Sequence, residues 1–181
     1  GYPLLASLLA AIAGRPVRKV DISPRVTVLT AAYNEAACIG RTVQNKLEQD
    51  YPADLLDVIV VSDESVDGTD EIVASLGPRV QLIRQSPRAG KTAALNLAVA
   101  RAAGEILVFS DANSMYAPDT IRRLVRNFAD PAVGYVTGKM VYVNEDGSLV
   151  GAGCSAYMKY ENWLRASESQ LAAVIGGDGG V

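Results

Sequence analysis

Four short runs of Val, Ile and Leu recur along the chain, at residues 26–31, 56–61, 80–83 and 106–110. Each leads into turn-forming residues and then into a segment of helical period. Apolar runs without strict alternation are what a parallel strand covered on both faces requires. Between the first two runs, Ile39, Val43 and Leu47 repeat at i, i+4 and i+8 as one helix face, and Tyr51-Pro52 stops that helix. A second helix is predicted from about Thr69, with Asp70 and Glu71 in its first turn favoured by the helix dipole. A third carries Leu95, Val99 and Ala102 and ends at Gly104. A fourth presents Ile121, Leu124, Val125 and Phe128 behind Pro118, a first-turn residue. Residues 133–150 read as strand around the turn Asn144–Gly147, and residues 155–174 read as helix carrying Glu161 and Glu168. Four strand–helix units predict an α/β fold with a mostly parallel sheet and helices on both faces.

Composition narrows the chemistry. At 181 residues, 49% hydrophobic and 20% charged, the chain is globular and fits one domain. A net charge of −3 and no Lys/Arg cluster argue against a nucleic-acid partner. The sequence contains no histidine, which excludes His-based triads and His-ligated metals. Cys38 and Cys154 stand in no metal or redox spacing and read as small buried hydrophobes in a reducing compartment. The first thirteen residues, GYPLLASLLAAIA, are uncharged and precede Arg15, Arg18 and Lys19. They are shorter than the roughly 20 apolar residues a bilayer span needs, and they lack the charged leader of a signal peptide. The expectation is the tail of a membrane helix or an interfacial helix, with its basic flank on the cytoplasmic side. An ordinary amphipathic helix packed on the domain is the alternative. The expected division is a membrane-proximal helix and linker over residues 1–23, and a membrane-associated domain on the cytoplasmic side over 24–181.

Two of the apolar runs end in a carboxylate: VIVVSDESVDGTD places Asp63 after the second, and EILVFSDAN places Asp111 after the fourth. Ligands of open α/β sheets bind just beyond the carboxyl ends of the strands, so both acids point to one crevice. Carboxylates there suit a phosphate-bearing ligand with a divalent cation between them. The competing reading is that each Asp caps the turn or helix that follows. GKT at Gly90–Thr92 does not complete a P-loop, because Gln85 stands where the motif needs Gly. No G-x-G-x-x-G follows any strand, so the dinucleotide fingerprint is missing.

Several separated motifs occur in an order that resembles the family 2 glycosyltransferases, whose fold is the GT-A nucleotide-diphosphosugar transferase type. LTAAYNEAACI is similar to the family's first strand with its Tyr-Asn-Glu turn. QDYPADLLDVIVVSDESVDGTDEIV is similar to its second strand and Asp-x-Ser-x-Asp-Gly-Thr signature. RAGKTAALNLAVARAAGEILVFSDAN resembles the helix leading to the family's metal motif, and APDTIRRLVRNFADPAVGYVTG continues the likeness. Within the family it is nearest to membrane-embedded processive synthases of cellulose, chitin and hyaluronan.

The resemblance implies transfer of a sugar from a nucleotide diphosphosugar, UDP-linked, to a glycan or lipid-linked acceptor at a membrane, with inversion. It implies that Asp63 contacts the base, with Ala32, Asn34 and Glu35 on the adjoining turn. Asp111 and Asn113 take the Asp-x-Asp positions that hold Mg2+ or Mn2+. Asn113 keeps an oxygen ligand there and drops a charge. Lys91 is either a cation for the phosphates or a solvated helix start, and Asp67 braces its loop. Trp163 reads as a core or membrane-facing residue ahead of a sugar-stacking one. The family's general base lies in a later acidic motif, and processive members add Gln-x-x-Arg-Trp; neither occurs before Val181. The chain is therefore expected to be the donor-binding part of a longer protein, binding donor but transferring little by itself. A donor-binding module without turnover and a nucleotidyltransferase are the rival readings. The latter usually carries a Gly-rich basic loop where AAYNEAA stands.

Overall fold

The computed structural model describes residues 15–138, together with Ile12, Tyr160, Trp163 and Ser169. One compact unit, Lys19–Val136, contains every element below. Its strands are β1 (Val26–Ala32), β2 (Leu56–Asp63), β3 (Val80–Gln85) and β4 (Ile106–Asp111). They are parallel and ordered β3-β2-β1-β4. The helices are α1 (Ile39–Leu47), α2 (Thr69–Ala74), α3 (Lys91–Val99) and α4 (Thr120–Val125), followed by a 3-10 turn at Arg126–Ala129. The α/β architecture read from the apolar runs is the one observed.

Residues of a strand alternate between faces, and both faces here are apolar. Val26, Val28, Val58, Val60 and Val108 face one way, onto Ile39, Val43 and Leu47 of α1, Val73 of α2 and Ile121, Leu124 and Val125 of α4. Leu29, Ile59 and Val61 face the other way, onto Ala94 and Ala98 of α3. Each fully buried Val, Leu or Ile contributes about 1.5–3 kcal/mol of transfer free energy, so the sheet is the core.

Four local expectations are corrected. On α3 the buried residues are Ala94 and Ala98, while Leu95 is only partly buried and Val99 is exposed. Alanines let the helix backbone sit close to the sheet, and the bulkier residues flank the contact. That helix ends at Val99, well before Gly104. Gly104 is set by close approach instead: a Cβ there would lie 2.5 Å from the Thr27 backbone nitrogen. Pro118 precedes α4 rather than lying in its first turn, and its carbonyl accepts from the Asp50 N–H at 2.8 Å. Residues 133–138 form no strand; they follow a turn closed by Asp130, its carbonyl accepting from Val133 N–H and its Oδ1 from Ala132 N–H. The rest of that expected strand, residues 139–150, lies outside the described residues, as do Cys154, Glu161, Glu168 and Asp178.

Outside this unit Ile12, Tyr160, Trp163 and Ser169 are helical. Trp163 is 43% exposed, so it is no core residue, and its ring centroid lies 6.1 Å from that of Tyr160. Among the described residues no helix is long and apolar enough to cross a membrane. Apart from Ile12, the expected apolar helix of the first thirteen residues falls outside them.

Candidate functional site

The strand order creates the crevice. From β1 the chain steps to β2 and β3 on one side, then returns to place β4 on the other side of β1. Such a reversal leaves a gap at the carboxyl ends of the strands. Ala31 pairs in register with Asp111, and Ala32 with Ser62, so the ends of β1, β2 and β4 lie level. Asp63 and Asp111 thus flank β1, about two strand spacings or ~10 Å apart. They line one cleft of about 310 Å³ with Ala31, Ala32, Tyr33, Glu35, Arg88, Gly90, Lys91, Ala112 and Asn113.

Asp63 is 4% exposed and organises the loop after β3. Its Oδ1 accepts from Gln85 Nε2 at 2.5 Å and Ala89 N–H at 2.9 Å, and its Oδ2 from Gly90 N–H at 2.8 Å. Burial raises the Asp63 pKa, but these donors and the Arg88 guanidinium at 3.7 Å outweigh it and leave the carboxyl below its ordinary value. A carboxylate accepts about four hydrogen bonds, so three loop donors leave Asp63 little unused capacity toward a ligand. Glu64, at φ 63°, reinforces the loop by accepting from Ser86 Oγ and Arg88 N–H. The same arrangement presents Arg88, whose guanidinium carbon stacks 3.6 Å from the Tyr33 ring centroid. Gly90, at φ +88°, turns the chain into α3, a conformation that favours glycine.

Lys91, the first residue of α3, forms an ion pair across the cleft with Asp111 Oδ1. Lys91 thus begins α3, lines the cleft and keeps its side chain 55% exposed.

Asn34 is placed differently. At φ 54° it is exposed and is not among the cleft-lining residues. Its Oδ1 accepts from Val66 N–H at 3.0 Å, and its own N–H donates to Ser65 Oγ at 3.1 Å. The correction is physical: both polar ends of Asn34 fasten the β1 loop to the β2 loop. Thr69 Oγ1 accepts from Glu35 N–H, and Asp67 accepts from Ala36 N–H and from both donors of Thr69. The Asp-Gly-Thr segment is therefore a splint that aims Tyr33 and Glu35 at the cleft.

The loop after β4 is held from behind by α1. Thr42 Oγ1 donates to the Ala112 carbonyl at 2.6 Å, Lys46 Nζ to that of Ser114 at 2.9 Å, and Asn45 Nδ2 to that of Tyr116 at 3.0 Å. Asn45 Oδ1 accepts in return from Tyr116 N–H at 2.7 Å. Lys46 is fully buried, also donates to the Thr42 carbonyl, and sits 4.8 Å from the Tyr116 ring centroid. Burial lowers its pKa to about 8 against the opposing pull of nearby Asp111. Sequence reading missed this set, because Thr42, Asn45 and Lys46 resemble the solvent side of an amphipathic helix. The available signal was a polar stripe lying beside the apolar one. Cys38, expected as a buried hydrophobe, is half-buried and its thiol faces Glu35 Oε2 at 3.2 Å. Burial and that carboxylate raise its pKa to about 11, so it is a poor nucleophile.

Among the described residues no cluster of three or more acidic, Cys or His groups could cage a metal unaided. Asp111 and Asn113 nevertheless bring a carboxylate and an amide oxygen to the same cleft. Mg2+ and Mn2+ bind in this way, through one or two protein oxygens with phosphates and water completing the shell. The donor set fits such a cation.

Comparison with known proteins agrees with this geometry. Beta-monoglucosyldiacylglycerol synthase from Synechocystis is 34% identical over 161 residues, covering 86% of this chain and 33% of that protein. A structure of the mannosyltransferase PcManGT from Pyrobaculum calidifontis, in complex with GDP-Man and Mn2+, superposes with a TM-score of 0.73. It is 35% identical, over 93% of this chain and 47% of that one. Staphylococcus aureus TarS, solved with UDP-GlcNAc, shares the fold at 24% identity and a TM-score of 0.53, over 56% of this chain and 30% of its own. The chain spans about a third of the length of the curated relatives it matches. The sequence model of the family described as "Glycosyl transferase family 2" matches residues 27–165, which contain β2 to β4, all of β1 but Val26, and both strand-end carboxylates. With the strand order, the crevice and that match in agreement, the chain belongs to glycosyl transferase family 2.

Proposed function

We propose that this chain is the donor-binding part of a glycosyltransferase that moves a sugar from a nucleotide diphosphosugar to a lipid-linked or glycan acceptor. One observation carries the reading: Asp63 and Asp111 end the two strands that flank β1, and both line the cleft that also holds Lys91. The nucleotide lies on the β2 side, against the loop that Asp63 orders. The diphosphate lies on the β4 side, where Lys91 pairs with Asp111 and is the nearest side-chain cation to exchange that partner for phosphate oxygen. Asp111 and Asn113 hold Mg2+ or Mn2+, which as a Lewis acid would stabilise charge on the leaving diphosphate. Tyr33 and Arg88 wall the cleft.

The acceptor class is taken from the relatives, among them a beta-monoglucosyldiacylglycerol synthase and N-acetylglucosaminyltransferases. They give no particular support to a cellulose, chitin or hyaluronan synthase. The donor base is left between uracil and guanine, because the structural relatives were solved with UDP-GlcNAc and with GDP-Man. Inversion by single displacement and association with a membrane complete the proposal.

Calorimetric titration of UDP and GDP in Mn2+, in chelator, and with Asp111→Ala tests it. Binding of one nucleotide in the micromolar-to-millimolar range is expected in Mn2+, an order-of-magnitude figure for a small polar ligand in an open cleft. Chelator and Asp111→Ala should each weaken it about tenfold or more. Failure of both nucleotides to bind, or binding indifferent to chelator and to the substitution, overturns it.

A further inference from the structure

The polar face of α1 has no evident reason to be buried. An ammonium with no carboxylate within bonding distance is costly in a protein interior, and Lys46, 0% exposed, has only carbonyl partners and an aromatic face around it among the described residues. A Leu or Met would fill the same space without that cost. What the lysine adds is direction. Thr42, Asn45 and Lys46 lie at i, i+3 and i+4, so they share one side of the helix. Their donors meet the carbonyls of residues 112, 114 and 116, every second residue of the loop that begins at Asp111. Ser114 N–H also closes back onto the Asp111 carbonyl at 3.3 Å. The turn carrying Asp111 and Asn113 is thus pinned on its inner side at three points, leaving the two oxygen-bearing side chains in the cleft.

We propose that the Thr42–Asn45–Lys46 face of α1 is a positioning clamp for the cation-binding loop, with Lys46 its central member. The clamp touches neither cation nor nucleotide. It sets the separation of Asp111 and Asn113, so that the cation meets both oxygens without first ordering the loop. Groups behind metal ligands commonly change metal affinity about 10–100-fold when removed. The inference rests on the metal site argued above.

The experiment measures Mn2+ binding with UDP or GDP, whichever binds, using calorimetry and the Mn2+ electron paramagnetic resonance spectrum. It compares wild type, Lys46→Met and Thr42→Val. Lys46→Met keeps the apolar stem and removes the ammonium; Thr42→Val removes one hydroxyl at constant shape. The expected result is Mn2+ affinity about tenfold weaker in Lys46→Met and about threefold weaker in Thr42→Val, in line with loss of outer contacts. Broadened Mn2+ lines and an unchanged or higher melting temperature should accompany it. A merely structural lysine would lower the melting temperature and leave affinity and line shape as in wild type. Should Lys46→Met fail to fold, Thr42→Val alone decides. Variants binding Mn2+ within twofold of wild type with the same spectrum overturn the clamp and leave the metal site standing. A wild type that binds no Mn2+ overturns both.

Discussion

Replacing Asp63 by Asn keeps its shape and removes one acceptor. The carboxylate accepts three hydrogen bonds from the loop after β3, two on Oδ1 and one on Oδ2. An Asn can keep its carbonyl at the Oδ1 position and satisfy Gln85 and Ala89, but its NH2 then faces the Gly90 N–H. The opposite orientation loses two bonds instead of one, so the first is adopted. One hydrogen bond to a charged group contributes about 1.5–3 kcal/mol, and the two survivors become neutral bonds of about 1 kcal/mol each. Some of that is recovered as the 88–90 backbone moves toward water, and about 2–3 kcal/mol of net destabilisation is expected. Urea unfolding gives the size, and amide hydrogen exchange at Ala89 and Gly90 gives the place. Exchange there should speed up while that of the β1 and β2 cores, Leu29 and Val60, stays slow. The sign with pH follows. The folded carboxyl titrates below its ordinary value, so in acid the unfolded chain binds the extra proton. Its contribution is full above the ordinary Asp value and is lost as pH falls through the depressed one. Asp63→Asn should therefore flatten part of the acid limb. A variant within about 0.5 kcal/mol of wild type, with unchanged exchange at both amides, refutes the argument.

Two further outcomes are expected. Lys46 titrates at about 8 when folded against an ordinary 10.5, so between those values the unfolded chain holds the proton that the folded chain has released. Stability should rise with pH across that window by up to about 3 kcal/mol, and Lys46→Met should flatten the rise; parallel urea curves for the two proteins at pH 7.5 and 10 would contradict this. Gly104→Ala places a methyl 2.5 Å from the Thr27 nitrogen and 2.9 Å from the Ile106 carbonyl, both backbone atoms of strands. Overpacking there should cost about 2 kcal/mol in thermal unfolding, and a neutral result would mean the β1–β4 edge is looser than it looks.

The sheet and the carboxylates at the ends of its strands are legible in local pattern alone. Buried parallel strands must be apolar on both faces, so Val26, Val28, Leu29 and the run from Val58 to Val61 declare themselves without reference to any partner. Asp63 and Asp111 stand out because a charge ends each run, and the ordered motifs around them carried the family. Ile39, Val43 and Leu47 were legible for the same reason, as a helical period is local. The remaining features depend on residues far apart in the chain. That Asp63 anchors a loop more than twenty residues later was not legible, since hydrogen bonds to Ala89 and Gly90 leave no trace in local pattern. Asn34 looked like a site residue and fastens one loop to another. Gly104 looked like a helix end and is a point where two strands crowd. Nothing in the local pattern sets Lys46 apart, and whether a polar stripe meets water or the carbonyls of another loop is fixed by how helix and sheet pack. Burial of a charge is a property of the assembled fold, and no residue's neighbours in sequence reveal it.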